Sequence, residues 1–547
     1  MKRYVIGLDF GTLSGRCVLV DAENGEEIAE STKLYAHGVM DKTLPDGQSL
    51  PPRWALQHPQ DYLDVLSVTV RDVLRQADLR PESVCGMGID FTACTLLPVD
   101  SEGVPLCLRS EWAQEKHAYV KLWKHHAAQG QADRITALAT ERGDAWIARY
   151  GGRISSEFAL PKILQTLEEA PEVYRATARF TEAADWLSLV LTGVETHSAV
   201  FAGYKASWDT EDGYPSNDFF RALDPRLDGI VGSKLSEAVC GADHIAGTLN
   251  ARGAELTGLP QGTPLAMPMI DGHAAIPALG VTGERELLLI VGTSAAQFIH
   301  DRTVREIGGI CGYVKDGVIP GFYTYEAGQA GVGDLFDWFV KNCVPSAYAD
   351  EAQARGIGLH RLLREKAEKQ RPGESGLLAL DWWNGNRCVL GDSGLTGLLV
   401  GMKLTTRPEE IYRALIEATA FGLRRIVEQY ECGGLAVERI VAGGGIAQKD
   451  EMMMQIYADV LGRPIGIGAT AQAAALGSAM YGAVAGGLYP DIRAASRQLA
   501  RPLLRTYEPN ADAHRVYSEL YAEYLRLYEL FGRTDHLMAW LNEIARG

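Results

Sequence analysis

Tyr4-Val5-Ile6-Gly7-Leu8-Asp9-Phe10-Gly11-Thr12 opens the chain as an apolar run that ends on an acid and a glycine. Tyr4 to Leu8 reads as a buried strand. Gly11 lets the backbone turn tightly and expose its amides, and Thr12 and Ser14 add hydroxyl donors. Arg16 to Asp21 reads as a second strand, Glu23-Asn24-Gly25-Glu26 carries a hairpin signal, and a third strand is expected near Ile28.

Working outward, Asp61 to Leu79 places Tyr62, Val65, Leu66, Thr69, Val70, Val73 and Leu74 on one helical face. Val84 to Leu97 returns to strand character, so hairpins followed by helix and strand predict a mixed sheet in an α/β domain. The second half repeats this opening: Glu286 to Val291 is apolar, Gly292-Thr293-Ser294 is a polar turn, and Ala295 to His300 is strand again. Two related α/β domains facing each other follow, residues 1–280 and 281–547, with the boundary where Gly280-Val281-Thr282-Gly283 punctuates the chain. Asp381 to Gly394 is expected as a long loop, and Ala511 to Leu541 as helix.

A chain of 547 residues is long enough for two cores. It is 46% hydrophobic and 22% charged, an ordinary globular composition. The formal net charge of -17 argues against nucleic acid as the main partner, although a local cradle of backbone amides can still hold phosphates. None of the nine cysteines stands at C-x-x-C spacing, and their scatter fits reduced thiols in a cytoplasmic protein. The first residues are too short a run for a signal peptide, and no apolar stretch approaches the roughly 20 residues of a membrane helix.

Four motifs carry chemistry. Asp9, ending a buried strand, has the donor type to hold a magnesium ion through water; the plainer reading is a hairpin turn with a surface acid. Gly292-Thr293-Ser294 offers a second set of donors, and a tripolyphosphate lying between two domains needs a cradle from each. Ala442-Gly443-Gly444-Gly445-Ile446-Ala447-Gln448-Lys449-Asp450 is a glycine-rich strand-to-helix turn that lets a nucleotide approach the backbone. Asp271-Gly272-His273-Ala274 follows the apolar run Leu265 to Ile270, and a carboxylate there can take a proton from an attacking hydroxyl. There is no G-x-x-x-x-G-K-[ST], H-E-x-x-H or G-x-S-x-G. Gly466-Ile467-Gly468-Ala469-Thr470-Ala471 matches a dinucleotide fingerprint, but Asp491 beyond it sits in a loop context after Pro490, so Thr470 is read as a helix N-cap.

Taken in order, these motifs resemble the FGGY family of carbohydrate kinases over essentially the whole chain. The resemblance implies the actin/Hsp70-like (ribonuclease H-like) fold, with ATP and a sugar in the cleft between two domains. It implies that Gly11, Thr12, Gly292, Thr293 and Ser294 form two phosphate loops, that Gly444 and Gly445 lie by the adenosine, that Asp9 serves Mg2+, and that Asp271 is the catalytic base. Asp90-Phe91-Thr92-Ala93-Cys94-Thr95, Ala202 to Trp208 and Tyr325-Glu326-Ala327-Gly328-Gln329 are most similar to the ribulokinase subgroup. By that resemblance Ala93, Lys205, Asp271 and Glu326 touch the sugar, and the reaction is phosphorylation of a ketopentose, L-ribulose, at its terminal O5 hydroxyl. Asp450 stands where the family usually has Asn near the adenine, and the Trp383 to Arg387 loop is assigned no role. Alternatives left open are another polyol or ketose (xylulose, ribitol, glycerol), an actin-like or Hsp70-like ATPase without a sugar, and a homodimer as the assembly.

Overall fold

Val5, Ile6, Leu8 and Phe10 of strand β1 (Tyr4–Phe10) are all fully buried, because helices cover both faces of the sheet that holds them. Burying one such side chain contributes about 1.5–3 kcal/mol, so this strand anchors its lobe. The computed structural model describes residues 2–546.

The first sheet contains β1, β2 (Ser14–Asp21), β3 (Glu27–Leu34), β4 (Val84–Phe91), β5 (Ile245–Thr248), β6 (Pro264–Ala266) and β7 (Met269–Ile270). Its order is β5-β6-β4-β1-β2-β3, with β7 also paired to β4. The first three strands form an antiparallel meander, while β4 runs parallel to β1. Helix α1 (Pro59–Gln76) starts with a proline at its first turn and buries the Tyr62, Val65, Leu66 and Val70 stripe. It packs against the face carrying Gly15, where an added Cβ would strike Val65.

The second sheet repeats the plan with β8 (Glu286–Val291), β9 (Ala295–Asp301), β10 (Gly312–Lys315), β11 (Tyr323–Gln329), β12 (Arg439–Gly443), β13 (Ile465–Ile467) and β14 (Arg505–Tyr507). Its order is β10-β11-β9-β8-β12-β13-β14, with β12 parallel to β8. Both sheets have seven strands, a hairpin opening, parallel central strands and an antiparallel edge.

Several expectations need correction. The strand drawn from Val84 to Leu97 ends at Phe91, because Cys94 takes a left-handed conformation (φ 60°) and Leu96–Val99 joins a different, four-stranded sheet. The C-terminal helix is broken: Ala511–Glu529 and Leu537–Arg546 are separated by a π-turn at Leu530–Thr534. Gln472, not Thr470, holds the N-cap position of the next helix; the Thr470 hydroxyl accepts from the Gln472 amide at 3.0 Å. Asp491 caps a helix by accepting from Ala494 N, so it serves no dinucleotide ribose.

Helices from beyond residue 280 cross back onto the first lobe. Helix α2 (Asp271–Ala278) packs in the core of the first lobe with Gly272 facing Phe298 of the second sheet, and α3 (Ala473–Ala485) and α4 (Ile492–Leu499), from beyond residue 280, pack into that same core. Alpha-3 is apolar on all sides, as a helix enclosed between layers must be. It lies so close to the first sheet that glycines are needed on both partners. A Cβ at Gly482 would stand 2.7 Å from the Met87 carbonyl carbon and 2.9 Å from its Cα.

Gly482→Ala therefore sets about 1 kcal/mol of helix propensity against an overpacking cost of about 1–3 kcal/mol, and the backbone clash wins. The melting temperature should fall. Gly130→Ala, in the helix Gln129–Arg142 with no atom within 4 Å of the new Cβ, should not lower it. A thermal melt of both variants checks the contrast.

Candidate functional site

Asp9 and Asp90 are register partners across the parallel pair β1/β4. Side chains alternate along a strand, so Asp9 shares the face of Gly7 and Asp90 that of Gly88, the two glycines against which α3 packs. Asp90 is fully buried, and one of its oxygens accepts from Ser478 on α3 at 2.6 Å. Its Oδ1 meets no donor. Burial raises the pKa of both acids, and the neighbouring Asp9 raises that of Asp90 further. Asp90, and then Arg16, favour the ionised form of Asp9.

Strand β7 pairs with the end of β4 (Ile270 with Phe91), which puts Asp271 at the first position of α2 beside these two acids. Its Oδ1 accepts from the Gly272 amide at 2.6 Å. Burial, then the neighbouring Asp9, pushes its pKa up to about 7. Three aspartates thus stand at the carboxyl ends of three adjacent strands, where open α/β sheets bind their ligands.

Lys205 ends the helix Ala199–Lys205, and Glu326 lies on β11 of the second lobe. Lys205 Nζ is 3.8 Å from Glu326 Oε2. Burial works against the ammonium, but Glu326 and other acidic groups around it hold its pKa above the ordinary lysine range. Both Glu326 and Lys205 also act on Asp271, which places the three in one pocket. His273 Nε2 stands 3.6 Å from Glu326 Oε2, its ring between Tyr204 and Phe298; burial keeps it neutral.

Ala93 occupies the loop after β4. Lys162 Nζ donates to Cys94 O at 2.5 Å and also to the carbonyls of Lys121 and Leu122, while Glu182 accepts from Thr95 N at 2.7 Å. Neither Lys162 nor Glu182 is marked by any motif; their only sequence signal is a charged residue amid apolar neighbours. Burial lifts the Glu182 carboxyl to about 7.

The glycine turns differ from expectation in one respect. Gly11 and Gly292 have no left-handed φ, and a Cβ on either would meet only ordinary contacts at 3.5 and 3.7 Å. Their hairpins close through Gly11 N to Ser14 O and Gly292 N to Ser294 O. Bareness toward the cleft, not turn geometry, is what these glycines provide. Thr12 Oγ1 accepts from Trp123 Nε1 at 3.2 Å. Gly444 is required: its φ is 96° and a Cβ would strike Val291 O at the end of β8. That contact seats Gly444 and Gly445 beside Gly292-Thr293-Ser294, with Gly333 donating to Gly292 O. No hydrogen bond among the described residues joins the Gly11–Thr12 turn to this second cluster. Asp450 caps the helix Glu451–Leu461 by accepting from Met453 N.

Two lobes of the same plan, with acids and glycine turns at the strand ends between them, define a phosphoryl-transfer architecture. Residues 4–278 match the N-terminal domain and residues 287–486 the C-terminal domain of the FGGY family of carbohydrate kinases. The chain belongs to this family. It is 48% identical to a ribulokinase of Bacillus licheniformis (97% of each chain covered) and 46% identical to a ribulokinase of Mycolicibacterium smegmatis (98% and 95%). Its fold matches a xylulose kinase structure from Rhodospirillum rubrum with TM-score 0.80 at 24% identity (96% and 99% covered). A glycerol kinase structure from Plasmodium falciparum matches with TM-score 0.74 at 18% identity (96% and 98%). The fold is the two-domain actin/Hsp70-like (ribonuclease H-like) one.

Lys162→Met leaves three buried carbonyls without their donor, at about 1–3 kcal/mol for each that stays unpaired. The melting temperature should fall, and the KM for the sugar should rise more than the KM for ATP, since the loop released is the one at Ala93. Melts and two-substrate kinetics read both effects.

Proposed function

We propose that this chain is a ribulokinase, transferring the γ-phosphoryl group of ATP to the O5 hydroxyl of L-ribulose to give ribulose 5-phosphate in L-arabinose catabolism. Relatives named ribulokinase at 46–48% identity over nearly the full length support the assignment. The observation that carries the chemistry is Asp271: a half-buried carboxylate with its pKa raised to about 7, near the Lys205–Glu326 pair.

Asp271 takes the proton as O5 attacks the γ-phosphorus, and ADP leaves. A base with pKa near the working pH combines a large ionised fraction with real proton affinity. Lys205 supplies donors and no acceptor, Glu326 supplies acceptors, and the backbone at Ala93 completes a set suited to a polyhydroxy ketone. The bare turns at Gly11-Thr12 and Gly292-Thr293-Ser294 let phosphate oxygens approach backbone amides, and Gly444-Gly445 leaves room for the adenosine. Only a proton or a cation can join Asp90 Oδ1 to the Asp9 carboxylate. No three metal-ligating side chains gather among the described residues, so Mg2+ would be held by Asp9 and Asp90 together with phosphate oxygens and water, its usual mixed coordination. When bound, it neutralises phosphate charge. The use of ATP supports a cytoplasmic location, and no helix among the described residues is long and apolar enough to cross a membrane.

Asp271→Asn should lower turnover by roughly 10²–10⁴ with the fold intact. In the wild type, the base works ionised, so kcat/KM should climb with pH to a plateau, with its midpoint at about 7. The Asn variant should lose that acidic limb. Wild-type turnover in the folded variant would remove Asp271 from the role.

A coupled ADP assay over L-ribulose, D-ribulose, xylulose, ribitol and glycerol tests the substrate. L-ribulose should give the highest kcat/KM, because glycerol leaves buried donors and acceptors unpaired at about 1–3 kcal/mol each. A higher value for xylulose or glycerol than for either ribulose enantiomer would overturn the substrate assignment and leave the kinase.

A further inference from the structure

Arg387 lies in the irregular segment between the strands Leu378–Leu380 and Leu398–Val400 of the second lobe. Its place is fixed by its neighbours. Cys388 Sγ accepts from Gly328 N at 3.4 Å and stands 3.4 Å from Cys311 Sγ, and Cys311 N donates to Glu326 O at 2.8 Å. The loop is therefore pinned to β11 beside Glu326.

The strand then settles where the guanidinium points. Glu326 and Gly328 are two residues apart on β11, so they address the same face of the sheet. A Cβ on Gly328 would meet Arg387 Cδ at 3.3 Å and Nη1 at 3.6 Å. Arg387 thus lies over the bare strand at Gly328, on the side to which the Glu326 carboxylate projects. Gly328 keeps the space that a side chain would take from it.

The guanidinium makes no hydrogen bond and no ion pair among the described residues. Arg387 is exposed to solvent. Burial works against its charge, but Glu157 of the first lobe and Glu326, with the thiols of Cys311 and Cys388, outweigh that effect. Glu157 also favours the charge of Lys205, which lies 3.8 Å from Glu326. Asp271 is influenced by Glu326 and Lys205. Five donors on a rigid fork, bonded to no protein group and lying over β11 beside Glu326, are free to bond a ligand there in place of water.

We propose that Arg387 is a further sugar-binding residue, which donates from the second lobe to hydroxyl or carbonyl oxygens of the ketose bound between Lys205 and Glu326. The inference rests on the sugar-kinase reading of this site. It also gives the second lobe a direct grip on the sugar, so that ligand and lobe position are linked through one side chain as well as through Glu326.

The test compares the wild type with Arg387→Met and Arg387→Lys. Met keeps much of the packing over Gly328 and removes every donor, while Lys keeps the charge and loses the fork. For Arg387→Met, the KM for L-ribulose should rise roughly tenfold or more, the loss expected for a charge-assisted bond, with the KM for ATP little changed. Sugar affinity measured by calorimetry without nucleotide should fall in step, and Arg387→Lys should recover part of it. The melting temperature should stay at the wild-type value, because no internal hydrogen bond is lost. An unchanged KM and affinity for the sugar in Arg387→Met would overturn the proposal, as would equal increases in the KM for sugar and ATP. Wild-type activity on L-ribulose in the same assay separates the two levels. If the wild type prefers another sugar, the substrate reading fails, and the three proteins are compared on the preferred sugar with the same criteria.

Discussion

Everything at this site is arranged around three carboxyls that the protein cannot satisfy by itself. Asp9, Asp90 and Asp271 end adjacent strands, with Asp90 buried and the other two half-buried. Like charges so placed raise one another, and burial raises them all, so one is kept as the acid and another is left with a pKa of about 7. Such a cluster costs stability in the resting protein, since transferring an ionised carboxylate from water is unfavourable without a partner. Cost of this kind is expected where a charged ligand or a proton transfer uses it.

The opposite wall of the pocket carries the balancing charge. Lys205 faces Glu326 at 3.8 Å, beyond hydrogen-bond length, and His273 stands at 3.6 Å, also without a bond. Buried polar groups in a finished interior are normally bonded. The Glu326 Oε2 atom has no hydrogen-bond partner, and both ring nitrogens of His273 lack one. The contrast with Lys162 is informative. That lysine is equally enclosed but donates to three carbonyls, so it is spent on holding a loop, whereas the groups around Glu326 are held in reserve.

The strand-turn-strand openings of both lobes were legible because each strand is a short apolar run ended by Gly, Thr or Ser, and local sequence alone determines that pattern. Asp9 and Asp271 could be singled out for the same reason, as acids at the ends of such runs. What could not be read is pairing over distance. Asp90 becomes the partner of Asp9 only through the register of two parallel strands some 80 residues apart, and no local feature reports register. The break at Cys94 was missed because Thr92 to Leu97 keeps strand-forming residues; the tertiary bonds from Lys162 and Glu182 override that preference. Arg387 was passed over because an irregular loop has no period to analyse. The return of α3 to the first lobe was hidden because Ala473 to Ala485 is apolar all round and shows no face to assign.

That featureless helix sets the geometry of the acids. Gly477 on α3 has no side chain because a Cβ would collide with the Ala274 carbonyl of α2, the helix that begins at Asp271. The next residue, Ser478, donates to Asp90. Two consecutive residues of one helix therefore fix both the element that carries the proposed base and the acid paired with Asp9 across the two strands. Their spacing is a property of helical backbone, which is stiff, and not of side-chain rotamers, which are not. Gly482, one turn on, locks the same helix to the backbone of β4. Because α2 follows β7, which pairs with β4, and α3 lies on β1 and β4, one sheet and its covering helices hold all three acids.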